Sequence, residues 1–380
     1  MFNSFDEFSN WLDVSKNFDR TVIKDVYRFI ETFPMADFSV YIKASQALAN
    51  GTPLEKIVKS FQRHSEANGG GYAVEVITLE DCLEEMVDHL NTGELKGTTT
   101  HVELIDNAWK WRPTEFTLFT GNNQDGKSLF MRYLSLIKGL EDDWKTAIYA
   151  PEDWPASKFY DELVFTASGI STDKEKPFHL DEKHYRKVAN QIKPYFNFVS
   201  IRPPHNTLEN ILNAFLPVIE DKGCKIGIID PLVKITRPPQ YVDRDAAWAA
   251  YVSSICVDFA RHCNICLIMV LHQLTPKLGA DGKYVKPDKY TIKGGGNWSD
   301  SGDNVLYMQR PNMPVDNQDT LVRFGGLKIK NQRLVAIPQE VFFRFNRKTN
   351  RYIDEDTGLD LYDFDSKLNI GRLQCLNFKN

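Results

Sequence analysis

The chain has 380 residues, 42% hydrophobic and 26% charged, the composition of a globular protein with one large and one smaller domain. A net charge of -5 excludes a global basic field, although a narrow nucleic-acid channel needs only local positive charge. No apolar run approaches the ~18 residues of a membrane span, and the acidic start MFNSFDEFSNWLD lacks the layout of a secretory signal. We therefore expect a cytoplasmic protein (in the host cytoplasm, if the source is a phage) with no membrane partner.

The N-terminal part of the sequence is predicted to be helical. Apolar residues recur near helical spacing in TVIKDVYRFIETF and PLEKIVKSFQRH, so residues 1–70 form a small helical domain of unassigned role. The glycine-rich stretch EANGGGYA is a flexible break. TLEDCLEEMVDHLNTG then predicts an amphipathic helix with Thr78 as its N-cap and Gly93 near its end. Residues 71–100 are thus a break followed by a linker helix.

Residues 101–380 alternate between short β-rich runs and helical stretches. The runs are TEFTLFT, KTAIYA, FNFVSI, KIGIID and ICLIMVL. This alternation is typical of an α/β domain with a mainly parallel sheet between helices. LVRFGGLKIK, EVFFRFN and RYID predict further strands, which we expect to be antiparallel.

GNNQDGKSLF matches the phosphate-loop pattern G-x-x-x-x-G-K-[ST] between a predicted strand and a predicted helix. Lys127 would reach the β- and γ-phosphates of ATP or another nucleoside triphosphate, and Ser128 would hold Mg²⁺. Asp125 is unusual, because a carboxylate repels phosphate, so we expect its side chain to point outward. The predicted nucleotide-binding residues are Gly121, Asn122, Asn123, Gln124, Asp125, Gly126, Lys127, Ser128 and Leu129.

Four polar residues follow other predicted strands, at the sheet edge where ligands bind. KIGIID ends in Asp230, where a carboxylate beside a phosphate loop holds Mg²⁺. Glu152, after KTAIYA, could polarise the water that attacks the γ-phosphate. ICLIMVL is followed by His272 and Gln273, and either can sense that phosphate. Neighbours on a strand point to opposite faces, so the sequence leaves open which one faces the site.

Two loops carry local positive charge that could grip a nucleic-acid backbone. One follows the Asp230 strand, and the other is TPKLGADGKYVKPDKYTIKGGG. Tyr284 and Tyr290 could stack bases, although phosphate contacts are the main expectation and a solvated lysine loop is the alternative. The candidates for DNA binding are Arg237, Arg244, Lys277, Lys283, Lys286 and Lys293.

In chain order, GNNQDGKS, YAPED, IGIIDP, LHQL, KGGGNWSDSGDNVLYMQR and KIKNQR resemble the RecA-like motor of DnaB-type replicative helicases. The helicase halves of phage primase–helicases and of mitochondrial Twinkle are most similar, over about residues 76–355. The resemblance implies a homo-hexamer that hydrolyses ATP, moves 5′-to-3′ on single-stranded DNA and unwinds a forked duplex. It also implies that Gly294, Gly295 and Asn297 approach DNA and that the linker helix packs on the adjacent subunit. The first 70 residues lack the glycine-rich core and zinc cysteines of a primase, so a primase, polymerase or loader would be a separate partner.

This family closes each nucleotide site with a Lys-x-Arg pair from the neighbouring subunit. The candidates are Lys330 and Arg333 in KIKNQR, one residue further apart than the usual pair, with Lys328 as an alternative lysine. The resemblance implies that Arg333 stabilises γ-phosphate charge in trans.

Two other functions share parts of this pattern. A RecA-like, filament-forming recombination ATPase would have the same loop and carboxylates but would coat DNA without unwinding it. A nucleotide-gated scaffold or helicase loader would bind ATP and turn it over poorly. The linker helix and Arg333 favour the ring, and intact Lys127, Ser128, Asp230 and Glu152 favour turnover.

Overall fold

The computed structural model describes residues 78–293, 298, 300, 302–370 and 376–378. The chain divides into two units between Gly93 and Glu94. In the described part of the first unit there is one helix, α1 (Leu79–Thr92). As the sequence predicted, it begins directly after Thr78 and ends at Gly93, whose φ of 86° suits glycine. The helices predicted within residues 1–70 lie outside the described residues.

The second unit is built on a nine-stranded sheet, and a two-stranded antiparallel sheet lies apart from it. The strands are β1 (Phe116–Gly121), β2 (Lys145–Tyr149), β3 (Phe178–Leu180), β4 (Phe196–Val199), β5 (Cys224–Ile229), β6 (Cys266–His272), β7 (Asn304–Gln309), β8 (Leu321–Ile329), β9 (Glu340–Asn346), β10 (Arg351–Ile353) and β11 (Leu376–Phe378). The large sheet has the order β10-β9-β8-β7-β1-β6-β5-β2-β4, and β3 pairs with β11. From β7 to β4 neighbouring strands are parallel, while β8, β9 and β10 extend the sheet antiparallel, as predicted.

Helices cover both faces of the large sheet. They are α2 (Glu103–Asp106), α3 (Lys127–Asp142), α4 (Ala156–Ser168), α5 (Glu182–Ile192), α6 (Leu208–Lys222), α7 (Asp245–Cys263) and α8 (Phe364–Leu368). One core cluster contains residues of α3, α4 and α5, and the other contains residues of α6 and α7. In β1, Phe119 belongs to the first cluster and Leu118 to the second, because neighbouring strand residues face opposite ways. The predicted α/β architecture is therefore confirmed, and no helix in the described ranges is both long and apolar enough to cross a bilayer.

The antiparallel extension supports the helix that carries Lys127. Phe130 lies in the first turn of α3, and its ring centroid is 5.0 Å from Phe324, 5.2 Å from Phe343 and 5.1 Å from Tyr352. A buried aromatic ring of this kind contributes roughly 1.5–3 kcal/mol to the free energy of unfolding. The tail strands thus fix the start of α3, and with it the loop that precedes it.

Candidate nucleotide and nucleic-acid site

The carboxyl ends of the parallel strands meet around one cavity of about 870 Å³. Gly121 at the end of β1 is level with His272 at the end of β6, and β2 and β5 end side by side at Tyr149 and Ile229. Residues predicted from separate segments therefore line one cavity. Those that line it are Asn123, Gln124, Gly126, Lys127, Ser128, Leu129, Glu152, Asp230, His272 and Gln273.

Two glycines give the phosphate loop its path. A Cβ on Gly121 would lie 2.2 Å from the Met308 carbonyl oxygen of β7, so no larger residue fits there. Gly126 has φ of 88°, a left-handed conformation that favours glycine, and it caps the N-terminus of α3. Asn122 is buried, and its Nδ2 has no hydrogen-bond partner among the described residues. The loop is therefore shaped by its contact with β7, and the helix N-terminus points its amides at the cavity.

Lys127 is held inside the loop. Its Nζ donates to the carbonyl oxygens of Gly121 at 3.1 Å and of Asn122 at 2.6 Å. Burial lowers the pKa of this ammonium, and the carboxylates of Asp125 and Asp230 oppose that effect. The lysine is thus a buried cation at the position where phosphate charge would be neutralised.

Asp125 points away from the cavity, but into the protein rather than outward. It is 1% exposed, so the expectation of an outward side chain is wrong. One carboxylate oxygen accepts from the Asn122 backbone N–H at 2.6 Å, and the other from the Arg310 N–H at 3.1 Å. Burial raises its pKa to about 6, and these two backbone hydrogen bonds oppose the rise. Asp125 therefore ties the loop to the end of β7 instead of facing a phosphate.

Ser128 and Asp230 form the candidate magnesium site. Burial raises the pKa of Asp230, while Arg132 and a hydrogen bond from Ser128 lower it. A hydroxyl and one carboxylate suit Mg²⁺, which keeps several waters and takes its remaining oxygens from phosphates. Across the described part of the chain, no group of three or more His, Cys, Asp or Glu side chains is arranged as a metal cage. The donor set therefore fits a nucleotide-borne Mg²⁺.

Arg132 is a buried cation of the site that sequence reasoning missed. One guanidinium nitrogen lies 3.0 Å from Glu162, and the other pairs with Asp153 and lies 3.8 Å from Asp230. The guanidinium also stacks over Phe159 at 5.1 Å. It therefore neutralises carboxylates beside the magnesium position.

One signal could have found Arg132. It lies four residues after Ser128 in α3, on the same helix face. Lys234 was missed as well. It lines the cavity four residues after Asp230, and its Nζ is 3.1 Å from a carboxylate oxygen of Glu152. No spacing rule marks Lys234.

His272 and Gln273 both line the cavity, but they differ in their contacts. Gln273 Nε2 donates to the Thr120 hydroxyl at 3.1 Å, and Thr291 donates to Gln273 Oε1 at 2.7 Å. Burial lowers the pKa of His272, and the Lys127 ammonium adds to that effect, which favours a neutral imidazole. Gln273 therefore connects β1, at the phosphate loop, with the far end of the basic loop.

The basic loop leaves the cavity and returns to it. Gln273 bridges to Ile292, and Lys293, predicted to bind DNA, lines the nucleotide cavity. Between these points residues 277–285 form a hairpin that carries exposed Lys277 and Lys283.

The hairpin is fastened to the end of β7. Gln309 donates to the Val285 carbonyl at 2.8 Å, and the Tyr284 N–H donates to the Pro311 carbonyl at 2.9 Å. Because Asp125 binds the next residue of the same segment, Arg310, the phosphate loop and the hairpin share one support.

The remaining DNA-binding candidates differ in how free their charges are. Lys286 lies 3.4 Å from Glu340 and stacks over Tyr307, and Arg237 pairs with Asp245 at 2.6 Å. Arg244 is exposed and makes no side-chain ion pair within the described ranges. Three further candidates lie outside the described residues, namely Gly294, Gly295 and Asn297.

Arg333 lies at the opposite edge of the sheet from the phosphate loop of its own chain. Ile329, at the end of β8, pairs with Asn304, which is level with Thr117 near the start of β1. Lys330 pairs with Asp303 at 2.9 Å at this edge. The Arg333 side chain is exposed and pairs with no residue in the part of the chain that the structure describes.

Lys328, the alternative lysine, is also at this edge and donates to the carbonyl oxygens of Asp300 and Gly302. Arg333 and both lysines are therefore remote from the cavity of the same chain.

Comparison with solved structures supports the same fold. The chain superposes on a helicase ATPase domain with a TM-score of 0.61 and 14% identity, covering 74% of this chain and 100% of that one. It also matches a DnaB-like replicative helicase, solved in a study of its interactions with primase, with a TM-score of 0.59 and 13% identity over 84% of this chain and 80% of that one. No protein-family model and no curated protein sequence matches. This chain therefore has the RecA-like fold of DnaB-type helicase ATPase domains.

Proposed function

We propose that this protein is an ATP-driven replicative DNA helicase that translocates on single-stranded DNA as a ring. The observation that carries the proposal is the meeting of Lys127, Ser128, Asp230 and Glu152 in one cavity whose wall also holds both ends of a basic loop. On a DnaB-type fold, this arrangement joins a hydrolysis site to a nucleic-acid contact.

The hydrolytic step follows from the charges in the cavity. Lys127 would compensate the β- and γ-phosphates, and Mg²⁺ held by Ser128 and Asp230 would neutralise charge on the same oxygens. Glu152 would accept a proton from water as the water oxygen bonds to the γ-phosphorus and the bond to the bridging oxygen of the leaving diphosphate breaks. The substrates are therefore a nucleoside triphosphate and water.

Gln273 and the hairpin would transmit hydrolysis to DNA. Gln273 contacts both Thr120, at the phosphate loop, and Thr291, in the basic loop, so a change at the phosphate can move that loop. Lys277, Lys283 and Arg244 carry the exposed charges that would contact the DNA backbone. These contacts support a power stroke that moves a single strand.

Assembly would complete the site. Arg333 is too far from its own cavity to act there, which supports a role in the cavity of an adjacent subunit. A hexameric ring, 5′-to-3′ movement, and a primase, polymerase or loader as partner complete the proposal. They rest on the helicase resemblance.

The test is ATP turnover with and without single-stranded DNA. Wild type should show DNA-stimulated turnover, and Lys127→Ala should lose turnover by at least ~100-fold because phosphate charge is uncompensated. Lys174→Ala, which removes an exposed lysine outside the cavity, is the matched control. Turnover that ignores DNA, or nucleotide binding without turnover, would contradict the motor and favour a scaffold.

A further inference from the structure

We propose that Lys234 is a positioning residue for Glu152, holding the carboxylate so that it can accept a proton from the attacking water. This role rests on the proposed function. Lys234 Nζ lies 3.1 Å from one oxygen of the Glu152 carboxylate, and both residues line the cavity beside Lys127. The ammonium of Lys234 is thus paired with a carboxylate of the site.

The backbone of Lys234 is fixed from behind. Its N–H donates to the Pro231 carbonyl at 3.2 Å, and its own carbonyl accepts from Asn206 Nδ2 at 2.5 Å. Asn206 is buried and is held in turn by Thr236 at 2.6 Å and by the hydroxyl of Tyr149, the last residue of β2, at 3.1 Å. The lysine therefore projects from a rigid turn, and its ammonium has a defined position relative to Asp230 before it.

Glu152 and its neighbour Asp153 are drawn to different cations. Asp153 pairs with the buried guanidinium of Arg132, whereas Glu152 pairs with Lys234. Arg132 is only 4% exposed in its side chain, so Asp153 is committed to a buried ion pair. Glu152 is about half exposed and can reach solvent. This separation leaves Glu152 as the carboxylate that can take a proton.

Stability alone does not account for the Lys234–Glu152 pair. An ion pair this exposed contributes roughly 0–1 kcal/mol to folding, because water competes for both partners. Its effect is on geometry, since one carboxylate oxygen bound to a fixed cation restricts the rotation of the other. In the hydrolytic step Lys234 keeps its own proton and forms no bond to the reacting atoms.

Steady-state kinetics of Lys234→Met and Lys234→Arg test this role. We expect Lys234→Met to lower kcat by about tenfold while KM for ATP stays within about twofold, since orientation of the base and not phosphate binding is lost. Lys234→Arg should restore most of the turnover. The control is Lys174→Met, and thermal melting should show that all three variants are folded.

A double-mutant cycle separates positioning from other roles. If Lys234 acts through Glu152, then Lys234→Met should cause no further loss in a Glu152→Gln protein. A further tenfold loss in that background, or a raised KM with unchanged kcat, would overturn the proposal and make Lys234 a phosphate ligand. Wild type without any turnover would instead overturn the proposed function and this role with it.

Discussion

Asp125 shows how a single residue can break a motif's expected chemistry without breaking its geometry. In the sequence it looks like a carboxylate placed against phosphate. In the structure both carboxylate oxygens accept backbone hydrogen bonds, from Asn122 and Arg310, on the side of the loop away from the cavity. The negative charge thus supports the loop from behind, and it also opposes the effect of burial on the pKa of Lys127.

The burial of Asp125 gives a pH-dependent contribution to stability. The folded-state pKa of about 6 is higher than the ordinary value of 3.8, so the folded protein binds more protons than the unfolded chain between these values. The contribution is therefore full below pH ~4 and is lost as pH rises through about 6, by roughly 3 kcal/mol in total. In Asp125→Asn this dependence should vanish, as measured by urea unfolding between pH 4 and 7.

Asp258→Asn, on the exposed face of α7, is the control because its carboxylate stays in water. Wild type and Asp125→Asn stability curves that run parallel across this pH range would contradict the buried, charged role of Asp125.

The residues that the sequence predicted correctly are those fixed by covalent spacing. Lys127 and Ser128 follow from the loop pattern, and Asp230 and Glu152 from strand ends that a parallel sheet brings together. Arg132 and Lys234 could not be predicted in the same way, because their roles depend on tertiary contacts with carboxylates from other segments.

At the scale of elements, the strands were the most predictable part of the fold. Fully buried parallel strands give short continuous apolar runs, and each of the five predicted runs overlaps a strand. The strand order was not predictable, because it depends on which helices cross over which face. The hairpin at 277–285 was also missed, since its fastening by Gln309 is a long-range contact.

Helix α1 presents an apolar face that we expect to mediate assembly. Leu79 is 67% exposed, Met86 51% and Leu90 83%. Replacing Leu83 and Leu90 together by Glu should weaken subunit association on the order of a hundredfold or more, because each buried leucine contributes roughly 1.5–3 kcal/mol. Sedimentation velocity with nucleotide present measures the assembly.

The control for this double variant is Glu84→Ala with Asp88→Ala, which changes the opposite face of the same helix. If the leucine variant assembled like wild type, α1 would not be the assembly element.

At the scale of the whole molecule, the sheet separates two halves of one proposed active site. The phosphate loop lies at the carboxyl edge, and Arg333 lies beyond the opposite edge. A chain built this way would need a head-to-tail neighbour to close each site, as in a cyclic ring. This division could be expected from the sequence only through the family resemblance, because no local pattern reports which edge a loop occupies.

Mixing variants tests the division directly. Arg333→Ala should bind ATP and assemble but lose turnover by ~10³-fold, as expected for an arginine that stabilises transition-state charge. An equimolar mixture with Lys127→Ala should recover about a quarter of wild-type turnover, because a random ring rebuilds some complete interfaces. A mixture as inactive as its two components would contradict a shared site.

The most direct test of the central claim is strand separation on a forked DNA duplex with ATP, followed by fluorescence for wild type beside Lys127→Ala. The account predicts that wild type separates the strands, faster with a free 5′ tail, and that Lys127→Ala binds the fork without unwinding it. DNA-stimulated ATP turnover in wild type with no strand separation would contradict the helicase and favour a filament that coats DNA.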